Sequence, residues 1–149
     1  MEKMTAEKAK EIMSKGFHCS QVVFAYGAEK LGMDVNEALK LSGGLGGGCY
    51  NGDSCGAVTG AAMALGLKYG FSNLTPDIKA QNAILVGKVK KFNAIFKERY
   101  GATLCREILG YDMGTPEGLK MIAETKATKN CPAMCAGACD ILDELFAED

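Results

Sequence analysis

The sequence predicts an all-α protein, a compact bundle of seven to eight mostly short helices around one long helix at about residues 76–100. Apolar residues recur at intervals of three and four along most of the chain, as they do on one face of a helix. Helix-capping residues precede these runs and glycines follow them. No run alternates apolar and polar residues over the length of a strand, so we expect no β-sheet.

The first two helices are predicted from the residues at their ends. Thr5 is a predicted N-cap for a helix over about 6–15, which Gly16 ends. The second helix begins near Cys19 and stops at Gly32. Because glycine tolerates the left-handed backbone that follows a helix, both end points have a physical basis.

The next two helices flank a glycine-rich segment. Asp34 is a predicted N-cap for a third helix, which ends at the glycines of residues 43–48. A fourth helix is expected from about Cys55 to Tyr69, ending at Gly70. Small residues on its first turns would let a partner helix pack closely.

The fifth helix has the clearest pattern. Thr75 and Pro76 form a predicted N-cap and first-turn proline, and Gly101 ends the segment. A helix of this length spans on the order of 36 Å, enough to cross a domain of this size. Its apolar positions at helical spacing are Ile78, Ile84, Leu85, Val89, Phe92, Ile95 and Phe96.

Three shorter helices complete the prediction. One covers residues 103–109, and Thr115-Pro116 repeats the cap signature for the next. The last begins at Cys131-Pro132 and runs to about Phe146, with Cys131 as the expected N-cap.

Composition bounds the class of protein. With 149 residues and 48% hydrophobic content, we expect a single domain over residues 1–149. The 17 basic and 18 acidic residues nearly balance, so we expect no nucleic acid as a partner. The N-terminal segment lacks a secretory pattern, and the longest apolar run, residues 55–67, is too short to span a bilayer. We therefore expect a cytoplasmic protein without membrane insertion.

Seven cysteines are the main candidates for chemistry. In a cytosolic protein stable disulfides are rare, so clustered cysteines indicate metal binding or redox chemistry. Cys19, Cys55 and Cys131 fall at predicted helix starts, where free N–H groups and the helix dipole favour a thiolate. His18, the only histidine, precedes Cys19; if protonated it would lower the thiol pKa further, and otherwise it is a surface residue.

The remaining cysteines allow two interpretations each. The glycine-rich segment lacks the pattern of a phosphate-binding loop, and it would either form a tight turn or bring Cys49 towards Cys55. Cys135 and Cys139 share a helix face with Cys131, but core packing is favoured for both. Cys105 by itself has the spacing of a core residue.

In order along the chain, several motifs resemble the C_GCAxxG_C_C family of redox-active proteins. They are Phe17-His18-Cys19-Ser20-Gln21, the glycines leading to Cys55-Gly56-Ala57-Val58-Thr59-Gly60-Ala61, Cys105-Arg106-Glu107-Ile108-Leu109-Gly110, and Cys131. Ser54 stands where the family pattern has glycine. The resemblance implies that the four characteristic cysteines are Cys19, Cys55, Cys105 and Cys131. Some relatives are selenoproteins, which favours a nucleophilic thiol, and a similar domain with an iron–sulfur centre favours ligation.

Four hypotheses remain at this point. The leading one is electron transfer through an iron–sulfur cluster held by Cys19, Cys55, Cys105 and Cys131, with Cys49 as a further ligand candidate. The second is a thiol–disulfide oxidoreductase with Cys55 or Cys19 as nucleophile. The third is a zinc-binding structural module, and the fourth a helical scaffold with incidental cysteines. The first two require an unidentified redox partner protein, and the sequence leaves a homodimer open.

Overall fold

A computed structural model describes residues 2–148, and over this range the protein is all-α, as the sequence predicts. Eight α-helices follow one another, and the described residues form no strand. One of the eight, α5, is long, as predicted. In chain order the helices are α1 (Ala6–Ser14), α2 (Cys19–Lys30), α3 (Val35–Ser42), α4 (Gly56–Tyr69), α5 (Ile78–Tyr100), α6 (Cys105–Leu109), α7 (Pro116–Thr125) and α8 (Cys131–Phe146).

Three of the predicted N-caps are confirmed. The side chains of Thr5, Asp34 and Thr115 each accept a hydrogen bond from the backbone N–H three residues further on. Each bond satisfies an N–H group that has no partner within its own helix. Pro116 lies in the first turn of α7, where its missing N–H costs nothing.

The predicted start of α5 is wrong by two residues. Thr75 and Pro76 precede the helix, and Asp77 is the N-cap, accepting a hydrogen bond from the Ala80 N–H. The Thr75 hydroxyl instead accepts from the Ser72 N–H and closes the preceding turn. Aspartate is the better N-cap of the two, and the Thr75 hydroxyl is already used in the preceding turn, so the helix begins after Asp77.

Helix α2 is the centre of the main core. Its residues 22–28 are all buried, and α4 and α8 pack against it. The packing of α2 on α4 depends on small residues, as predicted: a Cβ at Gly60 would lie 2.6 Å from the Ser20 carbonyl oxygen. A Cβ at Gly27 would lie 2.7 Å from the Ala64 Cβ. The start of α2 is therefore held directly against the start of α4.

The apolar stripe of α5 is buried mainly towards its C-terminal end. Phe92 and Phe96 are fully enclosed, whereas Ile78 and Ile84 are about half exposed. The helix thus joins the core from Leu85 onward, and most fully through Phe92 and Phe96. No helix within residues 2–148 has the length and apolar character needed to cross a membrane.

A second, smaller apolar cluster joins α6 and α7 through Cys105, Leu109 and Ile122. Ile108 and Cys131 pack against both this cluster and the main core. The junction between the two clusters contains the cavity described below.

Candidate functional site

Four cysteines stand at the starts of four different helices. Cys55 is the N-cap of α4, and Cys19, Cys105 and Cys131 are the first residues of α2, α6 and α8. Asn130, not Cys131, is the N-cap of α8, so that prediction is wrong by one residue. The sequence did not place Cys105 at a helix start, because Leu104 before it is no capping residue.

These four cysteines line one cavity of about 280 Å³ at the junction of the two apolar clusters. The structure therefore brings together the four positions implied by the family resemblance. Cys135, which the sequence assigned to the core, also lines the cavity. The other lining residues are mostly apolar and include three methionines: Met13, His18, Gly47, Tyr50, Ala57, Ile108, Leu109, Met113, Thr128 and Met134.

The close packing of α2 on α4 brings the Cys19 sulfur to the N-terminus of α4. A Cβ on Gly56 would lie 2.3 Å from Cys19 Sγ and 2.9 Å from the Ser20 nitrogen. Only glycine leaves the space that the sulfur occupies. Cys55, the N-cap of α4, directly precedes Gly56, so its thiol lies beside the same sulfur.

Cys19 is the acidic thiol of the site. The hydrogen bond from the Cys55 thiol is the largest contribution that lowers the pKa of Cys19, to about 6. Backbone N–H groups of Gly47, Ser20 and Gly56 also point at Cys19 Sγ and lower the pKa further, against the opposing effect of burial. At neutral pH Cys19 is therefore mainly a thiolate.

Cys55 is the complementary proton donor of the pair. Its hydrogen bond to Cys19 is the largest contribution that raises the Cys55 pKa, followed by burial and the negative charge on Cys19. Removing the proton from Cys55 would place two charges side by side in an apolar cavity. The pair thus holds one proton, on Cys55.

A short antiparallel bridge aligns the starts of α4 and α6. Ser54 pairs with Leu104, the Cys55 N–H donates to the Thr103 carbonyl oxygen at 2.8 Å, and the Cys105 N–H donates to the Asp53 carbonyl oxygen at 2.7 Å. Cys55 and Cys105 are positioned on the cavity by this backbone pairing.

Cys105 and Cys131 differ from Cys19 in their ionisation. Burial is the first cause that raises the pKa of Cys105 to about 11 and of Cys131 to about 12, and the Cys19 charge is the second. Both remain thiols at neutral pH. Arg106 does not stabilise a thiolate here, because its guanidinium donates to the Asp53 carboxylate at 3.2 Å.

The glycine-rich segment closes one side of the cavity. Gly47 has a φ of +58°, and a Cβ there would lie 2.3 Å from Met113 Sδ, so this contact requires glycine. Tyr50 lines the cavity, and its ring meets the His18 ring edge-on at 5.2 Å. Cys49 is exposed and is not among the lining residues, so the segment brings Tyr50 to the cavity instead.

His18 has a structural place at the start of α2. It is the N-cap residue, and its N–H donates to the Gln21 side-chain oxygen at 2.8 Å. The groups that stabilise the Cys19 thiolate are the Cys55 thiol and backbone N–H groups. His18 is therefore not among the groups that account for the acidity of Cys19.

The core prediction holds for both Cys135 and Cys139, which are fully buried. Cys135 also contacts the site, because its thiol lies 3.9 Å from the Cys19 carbonyl oxygen and donates to it. Cys135 lies four residues after Cys131, and residues at this spacing share a helix face. This spacing could have predicted that Cys135 reaches the same cavity as Cys131. Within residues 2–148, no group of three or more Cys, His, Asp or Glu side chains is arranged as a ready-made metal site.

Comparison with known proteins identifies the family. The model of the C_GCAxxG_C_C family, described as "Putative redox-active protein", matches residues 17–145. The match covers most of the chain and all four cavity cysteines at helix starts, so the chain belongs to this family. No curated protein and no solved structure matches the chain.

Proposed function

From its membership of this redox-active family, we propose that the protein is a thiol–disulfide oxidoreductase with Cys19 as nucleophile and Cys55 as resolving cysteine. The observation that carries the proposal is the placement of the two sulfurs: Cys19 Sγ lies against Gly56 at the start of α4, beside the N-cap residue Cys55. The pKa of Cys19 is lowered and that of Cys55 is raised, and each residue is the largest cause of the other's shift. Such an asymmetric pair has the two functions that thiol exchange requires.

The reaction proceeds in two balanced steps. The Cys19 thiolate attacks one sulfur of a substrate disulfide, forms a mixed disulfide with it and releases the other half as a thiolate. Cys55 then gives its proton to the thiolate released in the first step and attacks Cys19 Sγ, which releases the second half as a thiolate and leaves a Cys19–Cys55 disulfide. The substrate gains two electrons, and a dithiol partner protein would return the pair to its reduced form.

The first step prepares the second. Once Cys19 is in a mixed disulfide it carries no charge and accepts no proton from Cys55. The hydrogen bond to Cys19 and the Cys19 charge, two of the three main causes that raise the Cys55 pKa, are then gone. Cys55 becomes more acidic only when there is a disulfide for it to resolve.

Trapping the intermediate tests this proposal. In a Cys55→Ser variant the resolving step is removed, so a substrate disulfide should leave a stable mixed disulfide on Cys19. Peptide mass spectrometry of the reduced, metal-free protein after one equivalent of disulfide locates the adduct. Cys135→Ser is the matched control, since it removes another buried cavity thiol and should accumulate no adduct. An adduct found mainly on Cys105 or Cys131 would contradict the assignment.

A second candidate function is electron transfer through an iron–sulfur cluster, as the sequence first suggested. It is favoured by the four cysteines from four helices that line one cavity. The donor set fits, because thiolates ligate such clusters and would be deprotonated by the iron. Cys19, Cys55, Cys105 and Cys131 would hold the group, which would supply one-electron transfer.

Anaerobic purification separates the two candidates. A cluster predicts iron, acid-labile sulfide and visible absorption that Cys105→Ser abolishes. Thiol exchange predicts that Cys105→Ser keeps the reaction of Cys19 with disulfides. Zinc, the third hypothesis, would be detected in the same elemental analysis.

A further inference from the structure

The wall of the cavity at Cys19 carries no side chain of fixed charge. Among the described residues that line it, none is Asp, Glu, Lys or Arg. Its largest side chains are apolar or aromatic, including Met13, Met113, Ile108 and Tyr50. His18 is the one basic side chain among the described lining residues, so a ligand that enters leaves water without meeting an Asp, Glu, Lys or Arg partner.

We infer, on the basis of the proposed thiol function, that the substrate is a small uncharged organic disulfide and that anionic disulfides are rejected. Burying a carboxylate without a partner has a large free-energy cost, whereas an apolar group gains from the same burial. The chemistry of the wall thus selects against the charged peptide disulfides that open thiol sites accept.

The electrostatics of the site act in the same direction. The Asp112 carboxylate is near enough to help raise the Cys105 pKa, so it places a negative charge beside the cavity. Arg106, the cation of α6, is paired with Asp53. An anionic substrate would therefore meet repulsion from Asp112, with no unpaired cation of α6 to offset it.

The volume sets the size of the substrate. A cavity of roughly 150 Å³ lined by apolar side chains holds one benzene molecule. The cavity here, at about 280 Å³, has room for about two such rings. A disulfide with one small ring or short alkyl group on each sulfur fits this space, and a disulfide of two tripeptides does not.

The methionines suit such a ligand. Met13, Met113 and Met134 all line the cavity, and methionine adapts its shape and makes favourable contacts with aromatic rings. Met113 contacts the glycine-rich segment and is half-buried in a loop, so it can be exchanged with little effect on the helices. Met113 is therefore the residue that we choose to replace in order to introduce a charge into the cavity wall.

The test compares two probes that differ in charge. Dipyridyl disulfide is neutral, and dithiodinicotinate has the same two rings with a carboxylate on each. Both release an absorbing thione, so stopped-flow absorbance gives the rate for the reduced, metal-free protein. Each rate is divided by the rate of a small reference thiol to remove intrinsic reactivity. We expect a preference for the neutral probe on the order of 100-fold.

Variants of Met113 give the control. Met113→Lys places a cation in the wall and should reduce the preference at least about tenfold, because the carboxylates gain a partner. Met113→Gln has similar length without charge and should keep most of the preference. Circular dichroism confirms that each variant is folded, and Thr128→Lys at the exposed rim is a second charge insertion if the first misfolds.

The outcomes separate this inference from the function on which it rests. If Cys19 reacts with both probes in the ratio shown by the reference thiol, the substrate assignment is wrong and the thiol function stands. If Cys19→Ser reacts as fast as the unchanged protein with both probes, the thiol function is wrong and the substrate assignment falls with it. A preference that Met113→Lys removes and Met113→Gln keeps supports both.

Discussion

Two pairs of cysteines line the same cavity and behave differently. Cys19 and Cys55 share one proton, and the pKa of Cys19 is about 6. Cys105 and Cys131 also start helices on this cavity, yet burial raises their pKa values to about 11 and about 12. Position at a helix start is common to both pairs and does not by itself produce an acidic thiol.

The difference lies in where the helix-start N–H groups point. Around Cys19, the N–H groups of Gly47, Ser20 and Gly56 are directed at the sulfur. At the other pair, the Cys105 N–H bonds to the Asp53 carbonyl oxygen and the Cys131 N–H to that of Thr128. Hydrogen bonds from N–H groups to a sulfur lower the pKa of its thiol. Where the N–H groups bond to carbonyl oxygens instead, nothing offsets the rise in thiol pKa that burial causes.

The largest effect should follow from removing the acidic thiol. In a Cys49→Ser background, which removes the exposed thiol, Cys19→Ser should lower the rate of reaction with neutral iodoacetamide at about pH 7 by roughly 100-fold, because thiolate is the reactive form. Cys105→Ser and Cys131→Ser in the same background are the matched variants, and both should react nearly as fast as Cys49→Ser alone. If the rate of reaction with iodoacetamide falls equally in all three variants, the two pairs of cysteines do not differ in reactivity and the account is wrong.

A smaller effect should follow from removing the proton donor. Cys55→Ala deletes the largest contribution that lowers the Cys19 pKa, so that pKa should rise towards its ordinary value of about 8.5. Cys55→Ser keeps a hydroxyl donor at the same place and should retain most of the shift. The pH dependence of Cys19 alkylation measures both. If alanine and serine have the same effect, the hydrogen bond is not the cause.

The packing that creates the site can be tested at one glycine. Gly56→Ala places a Cβ 2.3 Å from Cys19 Sγ, so it should displace the sulfur, raise the Cys19 pKa and destabilise the fold by about 1–3 kcal/mol. Gly66→Ala lies in the same helix with no atom within 4 Å of the new Cβ, and should be stabilising by up to about 1 kcal/mol. Urea unfolding and alkylation report the two effects. Similar behaviour of both variants would contradict the close approach of α2 and α4.

The smallest effect concerns the second pair in the unchanged protein. Because Cys105 and Cys131 have raised pKa values, neither should be alkylated appreciably below about pH 9, where the thiolate fraction stays small. Mass spectrometry of peptides after timed alkylation at several pH values measures this for each cysteine. Modification of either residue at neutral pH as fast as Cys19 would show that the pairs are alike.

Local chemistry predicted the fold well. Caps such as Thr5 and Asp34, and glycines at close contacts such as Gly60, are determined by neighbours in sequence or by the size of a side chain. The start of α5 was missed because Thr75 and Asp77 are both competent caps, and the turn before them decides. The partial exposure of the α5 stripe depends on which elements pack against it, which spacing does not specify.

The site was predicted in part. The predicted helix starts indicated Cys19, Cys55 and Cys131 as site residues. The resemblance to the family implied the fourth, Cys105. The sequence could not assign roles among them, because the Cys19 pKa depends on donors from three separate segments, including Gly47 and Gly56. Cys49 illustrates the same limit, since only the left-handed turn of residues 47–50 shows that Tyr50 lines the cavity while Cys49 stays exposed.

The most direct measurement is the ionisation of Cys19 itself. The ultraviolet absorbance of thiolate, titrated against pH in the reduced, metal-free protein and in Cys19→Ser, isolates this one group in the difference. The predicted result is a single ionisation with a pKa of about 6 that the variant lacks. If the two proteins titrate identically and no thiol ionises below about pH 8, the cavity does not hold a thiolate and the assigned chemistry is wrong.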